Sequence, residues 1–204
     1  MDLGKSTLGK LIAGLEKPSK GLVQIDELKT ADKKNFLEIR KKVGVVFQNP
    51  ENQILFSNVK DDIEFALRNL NLSNSEDRIE NALKKVDMSK FINSDAYELS
   101  LGQKQRLTIA EAIAINSKYI VLDEPTAMID PLGKEAIYKI IKELKKQGYT
   151  IIYITNIIDE ILMSDKILLL EDGRIVKTFM KQEILNNIEE LKKYKIKIPE
   201  RYVF

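Results

Sequence analysis

Residues 119–122 are an unbroken apolar run, Tyr-Ile-Val-Leu, that stops abruptly at Asp123, Glu124, Pro125 and Thr126. A short apolar run closed by a turn signal reads as a strand covered on both faces, because a half-exposed strand would alternate apolar and polar residues instead. Similar runs lie at 43–47, 150–155 and 166–170, with a shorter one at 22–25. Helical patterns fall between them. Leu8, Leu11, Ile12 and Leu15 recur at i, i+3, i+4 and i+7 in a helix that starts at Lys5 and is broken by Lys17 and Pro18. Strands alternating with helices predict an α/β fold with a parallel sheet core. The middle of the chain departs from this rhythm: 61–114 contains no strand run, and Ile79, Ala82, Leu83 and Val86 mark a helix entered from Ser75. The expected organisation is a single domain over 1–204 with a helical subdomain inserted at about 58–115.

Composition excludes several functions. The 204 residues contain no Cys, hence no disulfide framework and no thiolate metal site, and no His, hence no side chain that ordinarily titrates near neutral pH. Thirty-three basic and 31 acidic residues give a net charge of +2, with the basic ones scattered, which is no footprint for nucleic acid. The lysines at 192, 193, 195 and 197 read most simply as a solvated face. No apolar run approaches the roughly 18 residues of a membrane span, so any membrane role is peripheral.

Five short motifs carry chemistry. Gly4-Lys5-Ser6-Thr7 opens the first helix, where first-turn amides, a lysine and a hydroxyl suit phosphate and its cation; a glycine turn entering a basic helix accounts for the same residues. Asp123 and Glu124 stand at the carboxyl end of a buried strand, the usual ligand side of an open α/β sheet, although a polar turn before Pro125 is the simpler account. Ser100 and Gln103 form an S-x-x-Q capping box at the head of a helix bearing Leu107, Ala110 and Ala114. Gln48 ends the run 43–47, and Asn156 follows the run 150–155, where asparagine is also an ordinary helix cap.

Taken in order, these motifs resemble the ATP-binding cassette (ABC) family. Glu98-Leu99-Ser100-Leu101-Gly102-Gln103 is similar to that family's LSGGQ signature, with Leu101 where glycine is usual, and 119–124 to its Walker B strand. Gln48-Asn49-Pro50-Glu51-Asn52-Gln53 resembles the QNPxNQ run of the energy-coupling-factor ATPases, the cobalt and vitamin importer branch. The resemblance implies a P-loop NTPase-like core with ATP and Mg²⁺ as ligands and a C-terminal linker at about 180–204. It places further family strands, the opening glycine of the phosphate loop and an adenine-stacking residue ahead of Met1, so the expected core lacks its N-terminal strands. Asp2 and Leu3 fall where the family has small residues, and a carboxylate in an anion nest repels phosphate.

The roles implied by resemblance are specific. Gly4, Lys5, Ser6 and Thr7 bind phosphate; Ser6, Gln48 and Asp123 hold Mg²⁺; Glu124 is the general base. Asn156 sits where the family has a switch histidine. Ser100, Gly102 and Gln103 reach the γ-phosphate on a second cassette subunit, identical or different, and Asp130 lies at that dimer interface. The implied complex adds a transmembrane coupling subunit and a substrate-selecting membrane subunit at the cytoplasmic face of the membrane. The function expected is an ATPase subunit powering metal-ion or vitamin uptake. The alternative is a nonhydrolysing, trans-acting or fragmentary copy, for which Leu101 and Asn156 speak. A soluble cassette acting on DNA or ribosomes is disfavoured, since neither a coiled-coil insert nor tandem cassettes is seen.

Overall fold

The computed structural model describes residues 4–194 and 196–202, so Asp2, Leu3 and Lys195 lie outside the described residues. The chain divides into two compact units, one of Lys10–Ile152 and one of Met1–Gly9 with Tyr153–Phe204. Helix α1 (Lys5–Ile12) and strand β5 (Thr150–Ile154) run across the division.

In the larger unit, β1 (Gln24–Ile25) and β2 (Leu28–Lys29) form a small antiparallel hairpin rather than the parallel core strand expected at 22–25. Two residues each side of a tight turn are too short to span a core, and Leu22 is more than half exposed. The turn is pinned by Asp26, whose carboxylate meets Lys42 at 2.7 Å and the Tyr119 hydroxyl at 2.5 Å; Lys42, Tyr119 and Lys118 together hold it well below the usual carboxylate range. Helix α2 (Phe36–Lys42) then leads into β3 (Val43–Val46). Strand β4 (Tyr119–Asp123) pairs with β3 in parallel, Val43 opposite Tyr119 through Val46 opposite Leu122, and the sheet order is β3-β4-β5. Ile120, Val121 and Leu122 are buried, as a strand covered on both faces requires.

Between β3 and β4 come α3 (Val59–Asn69), α4 (Ser75–Lys85) and α5 (Leu101–Ile115). Asn58 caps α3 through its side-chain oxygen. In α4 the residues expected to face inward, Ile79, Ala82 and Leu83, are all buried. Helix α5 differs in kind: every residue from Lys104 to Ala114 is buried except the half-exposed Arg106, so it threads the core instead of lying on it. It approaches β3 so closely that a Cβ on Gly44 would fall 2.6 Å from the Ala112 Cβ. Helix α6 (Pro131–Lys146) follows β4, with Asp130 as its N-cap and Pro131 at its first position.

In the smaller unit, β6 (Lys166–Glu171) and β7 (Arg174–Met180) form an antiparallel hairpin. The sequence reading put 166–170 in the parallel sheet; β6 instead buries Ile167 and Leu169 while Lys166 and Leu168 are exposed, a period of two that marks one-sided burial. The turn explains the hairpin, since Asp172 (φ 46°) and Gly173 (φ 74°) are both left-handed, as a two-residue turn of matching twist needs. Phe179, Ile184, Leu191 and Ile158 close its core, drawing in α7 (Ile158–Ile161), α8 (Lys181–Ile184) and α9 (Ile188–Leu191).

Two stability outcomes follow from the larger unit. Gly44→Ala should cost about 1–3 kcal/mol, because the added methyl meets Ala112 on a buried helix; urea unfolding should show a lower midpoint, and adding Ala112→Gly should recover part of the loss. Asp130→Ala should cost about 1 kcal/mol through loss of the α6 cap, and Asp130→Asn much less, by the same measurement.

Candidate functional site

Parallel pairing fixes the first part of the site. Because β3 and β4 run together and end together, Gln48 and the pair Asp123–Glu124 emerge side by side at the carboxyl end of the sheet. The Gln48 Nε2 donates to Glu124 Oε2 at 3.3 Å, so two residues far apart in sequence meet. Glu124 has φ of 45°, in the left-handed region, immediately before Pro125, which favours extended backbone in the residue ahead of it. A non-glycine residue held in this conformation is strained and needs surrounding structure to keep it there. A turn hydrogen bond from Ala127 N–H to the Glu124 carbonyl (3.1 Å) and the fully buried Thr126 supply that.

The helix head at 100 forms as the sequence predicts. Ser100 Oγ accepts from Gln103 N–H at 3.3 Å and Gln103 Oε1 accepts from Ser100 N–H at 2.8 Å, a closed capping box that leaves Ser100 exposed. A Cβ on Gly102 would lie 3.6 Å from Ile129 Cγ2 and 3.7 Å from the Gly133 Cα, so the first turn of α5 rests against the segment that starts α6. Asp130, on that segment, accepts from the amides of Leu132 and Gly133 at 3.0 Å each. The structure thus brings Gly102 against the residues that flank Asp130, Ile129 and Gly133. Leu101, the departure from the usual glycine, is half-buried.

The smaller unit carries the remaining candidates. Gly4 has φ of 82°, and the hydrogen bonding of α1 begins at Leu8 N–H to the Gly4 carbonyl (2.9 Å), so Lys5, Ser6 and Thr7 make up the first turn of a helix. Lys5 and Ser6 are half-buried and Thr7 is exposed. Asn156 follows β5, and its backbone carbonyl accepts from Lys197 N–H at 2.7 Å. Thr155 Oγ1 accepts from Ile157 N–H at 3.0 Å and hydrogen-bonds the buried Glu160 carboxylate, fixing the turn in which Asn156 sits.

The donor atoms fit a hard cation. Among the described residues no group of three or more acids or other ligating side chains assembles into a cage. Mg²⁺ is commonly held by one or two carboxylates together with substrate phosphates, and the carboxylates and carboxamide at the ends of β3 and β4 are oxygen donors of that type.

Sequence reading named Glu51 and Gln53 only as part of the run 48–53 and did not find the partners that the structure gives them. Gln53 Nε2 donates to the Val45 carbonyl (3.2 Å) and to Glu111 Oε2 (2.9 Å), and Gln53 Oε1 accepts from Phe47 N–H (3.3 Å). Gln105, fully buried, donates to the Phe47 carbonyl at 3.0 Å, and Lys104 pairs with Glu51 at 2.8 Å. The available signal was Gln105, Thr108 and Glu111 at i, i+3 and i+6, a polar stripe on a helix otherwise apolar enough to be buried.

Comparison with known proteins identifies the family and the fold. The family profile described as ABC transporter matches residues 3–127. The energy-coupling factor transporter ATP-binding protein EcfA1 of Caldanaerobacter subterraneus subsp. tengcongensis is 40% identical over 200 residues, covering 97% of this chain and 72% of that relative. Among solved structures, cbiO1 from Clostridium perfringens, part of the ABC transporter complex cbiONQ, superposes with a TM-score of 0.81 at 32% identity, over 98% of this chain and 82% of that one. The ATP-binding cassette MJ0796, in a dimeric post-hydrolysis state bound to ADP and Pi, gives 0.77 at 32% identity, over 88% and 81%. On the order of its motifs, its fold and these likenesses, the chain belongs to the ABC transporter family, among the energy-coupling-factor ATP-binding proteins.

Proposed function

We propose that this chain binds and hydrolyses ATP as a nucleotide-binding subunit of an energy-coupling-factor importer, at the cytoplasmic face of the membrane, working with a second cassette subunit and membrane subunits that carry a metal ion or vitamin. The observation that carries the reading is the Gln48–Glu124 hydrogen bond at the ends of neighbouring parallel strands. A carboxylate oriented by a carboxamide, on a strained backbone aimed away from the sheet, is placed to hold a water and take its proton. Lys5 and the first turn of α1 neutralise and orient phosphate. The family resemblance assigns Mg²⁺ to Ser6, Gln48 and Asp123 one by one, and Mg²⁺ when bound would offset charge on the phosphate oxygens. Ser100 and Gly102, at the exposed head of α5, serve the nucleotide on the partner subunit. Helices α3 to α5 are the inserted subdomain of this cassette, and the residues from about 180 its C-terminal linker.

Asn156 favours unequal sites in the assembled dimer. Its amide donates a hydrogen bond but cannot carry a proton, and the chain has no histidine to replace it. The nucleotide site that relies on Asn156 therefore turns over more slowly, by about 10²-fold, than the one completed by Ser100.

In the assembled complex, Ser100→Arg should remove nearly all ATP hydrolysis at steady state, whereas Glu124→Gln should leave most of it. The reverse pattern would make this chain's own site the principal one and overturn the assignment of unequal sites. Asn156→His should raise the rate of phosphate release measured in the Ser100→Arg background, and Lys5→Ala should abolish nucleotide binding by the isolated chain in calorimetric titration.

A further inference from the structure

Asp62 on α3 and Glu111 on α5 are both buried, 5% and 9% exposed, and the functional reading uses neither. Asp62 Oδ1 accepts from the amides of Leu55 and Phe56 at 2.8 and 2.9 Å, and Glu111 Oε2 accepts from Gln53 at 2.9 Å. Each carboxyl group has one buried oxygen left with no donor, Asp62 Oδ2 and Glu111 Oε1. Two carboxylates cannot donate to each other, and two buried acceptors facing one another as anions would be costly. One proton resolves both deficits, since a carboxylic acid at Glu111 donates to Asp62 and still accepts from Gln53. Burial and then the neighbouring Asp62 charge push the Glu111 carboxyl well above its ordinary value; Gln53 opposes this and the hydrogen bond with Asp62 adds to it. The cations on α5 and α4 are committed elsewhere: Lys104 to Glu51, Arg106 to the Val86 and Asp87 carbonyls, Arg78 to the Ser73 and Ala114 carbonyls.

The geometry assigns Asp62 and Glu111 as a proton-sharing acid pair that acts as a positioning device, fixing Gln53 and through it the end of β3 that presents Gln48. Gln53 is the link because its carboxamide behaves as a strand neighbour. By bonding the Val45 carbonyl and the Phe47 N–H it pairs with β3 at i and i+2, as a peptide group on an adjacent strand would. Gln105 secures the Phe47 carbonyl from the same helix that carries Glu111. A protonated Glu111 thus ties α3, α5 and β3 into one unit around the residue before Gln48. Its effect on turnover rests on the proposed role of Gln48, whereas the shared proton itself does not.

The test separates these two. Unfolded glutamate loses its proton above 4.5, while folded Glu111 keeps it to higher pH, so the folded state binds more protons and wild-type stability falls as pH rises through that window. Glu111→Gln preserves both hydrogen bonds and removes the titration. The folding constant of the full chain relative to Glu111→Gln should therefore fall about tenfold from pH 5 to pH 6. Asp62→Asn, which removes the neighbouring charge and can donate to an ionised Glu111 but leaves its burial, should make the slope shallower than in wild type, by less than Glu111→Gln does. A carboxylic acid carbonyl band at neutral pH, shifted in heavy water and missing in Glu111→Gln, should appear in the infrared spectrum. Equal slopes in wild type and Glu111→Gln, or no such band, overturn the shared proton. In the assembled complex, Glu111→Ala should lower kcat at least tenfold with little change in KM for ATP, and Glu111→Gln should restore it. An unchanged kcat in Glu111→Ala overturns the positioning role, whatever the Ser100→Arg and Glu124→Gln variants show for the ATPase reading.

Discussion

The contact between α5 and β3 is the constraint on which the larger unit depends. Gly44 has no side chain, and only for that reason does Ala112 come within 2.6 Å of where one would begin. That approach sinks the helix from Lys104 to Ala114 into the core. Depth has two consequences. The apolar residues Leu107, Ile109 and Ile113 stabilise the unit by leaving water, and the polar ones on the same helix must find partners inside the protein. Gln105, Lys104 and Glu111 find theirs on the segment that follows β3. The helix that begins with Ser100 is therefore bonded to the loop that begins with Gln48.

Such bonding is specific in a way apolar packing is not. An apolar helix slides or rotates at modest cost so long as volume is kept, whereas a buried carboxamide misplaced by an ångström loses its partners and bears the full desolvation penalty. Gln53 makes three hydrogen bonds, two to the end of β3 and one to α5. The region between β3 and α3 lacks regular structure apart from one short turn at Pro50–Asn52, yet these bonds hold it in place. Loops that carry function are commonly positioned this way by a rigid scaffold beneath them.

The legible parts of the sequence were those in which one residue type has one use. Tyr-Ile-Val-Leu at 119–122 has no use but a buried strand, and the i, i+3 and i+4 spacing of Ile79, Ala82 and Leu83 none but a helix face. Ser100 and Gln103 closed their capping box because its partners are local. The run at 166–170 misled because Leu168 and Leu170 look like core residues, while the decision lay in the turn Asp172-Gly173, which selects a hairpin. Gln53, Asp62 and Glu111 were illegible for a different reason. Each is a common polar residue whose meaning comes from a partner brought near by tertiary structure, and local periodicity says nothing about which partner that is.

Glu124 shows where fold and chemistry pull apart. Strand β4 ends in extended backbone, Pro125 favours extended backbone in the residue before it, and still Glu124 lies at φ 45°. A glycine would adopt this turn with less strain, so the backbone alone would not select glutamate here. Strain of this kind costs on the order of 1–3 kcal/mol and persists only where neighbours fix it. Here the turn to Ala127, the buried Thr126 and the Gln48 amide do so. The conformation turns the carboxylate out of the strand line and into reach of the neighbouring strand's end, a position that ordinary extended geometry would not give it. Stability is thus given up at one residue in a conformation that brings one carboxylate to the end of the neighbouring strand, where Gln48 meets it.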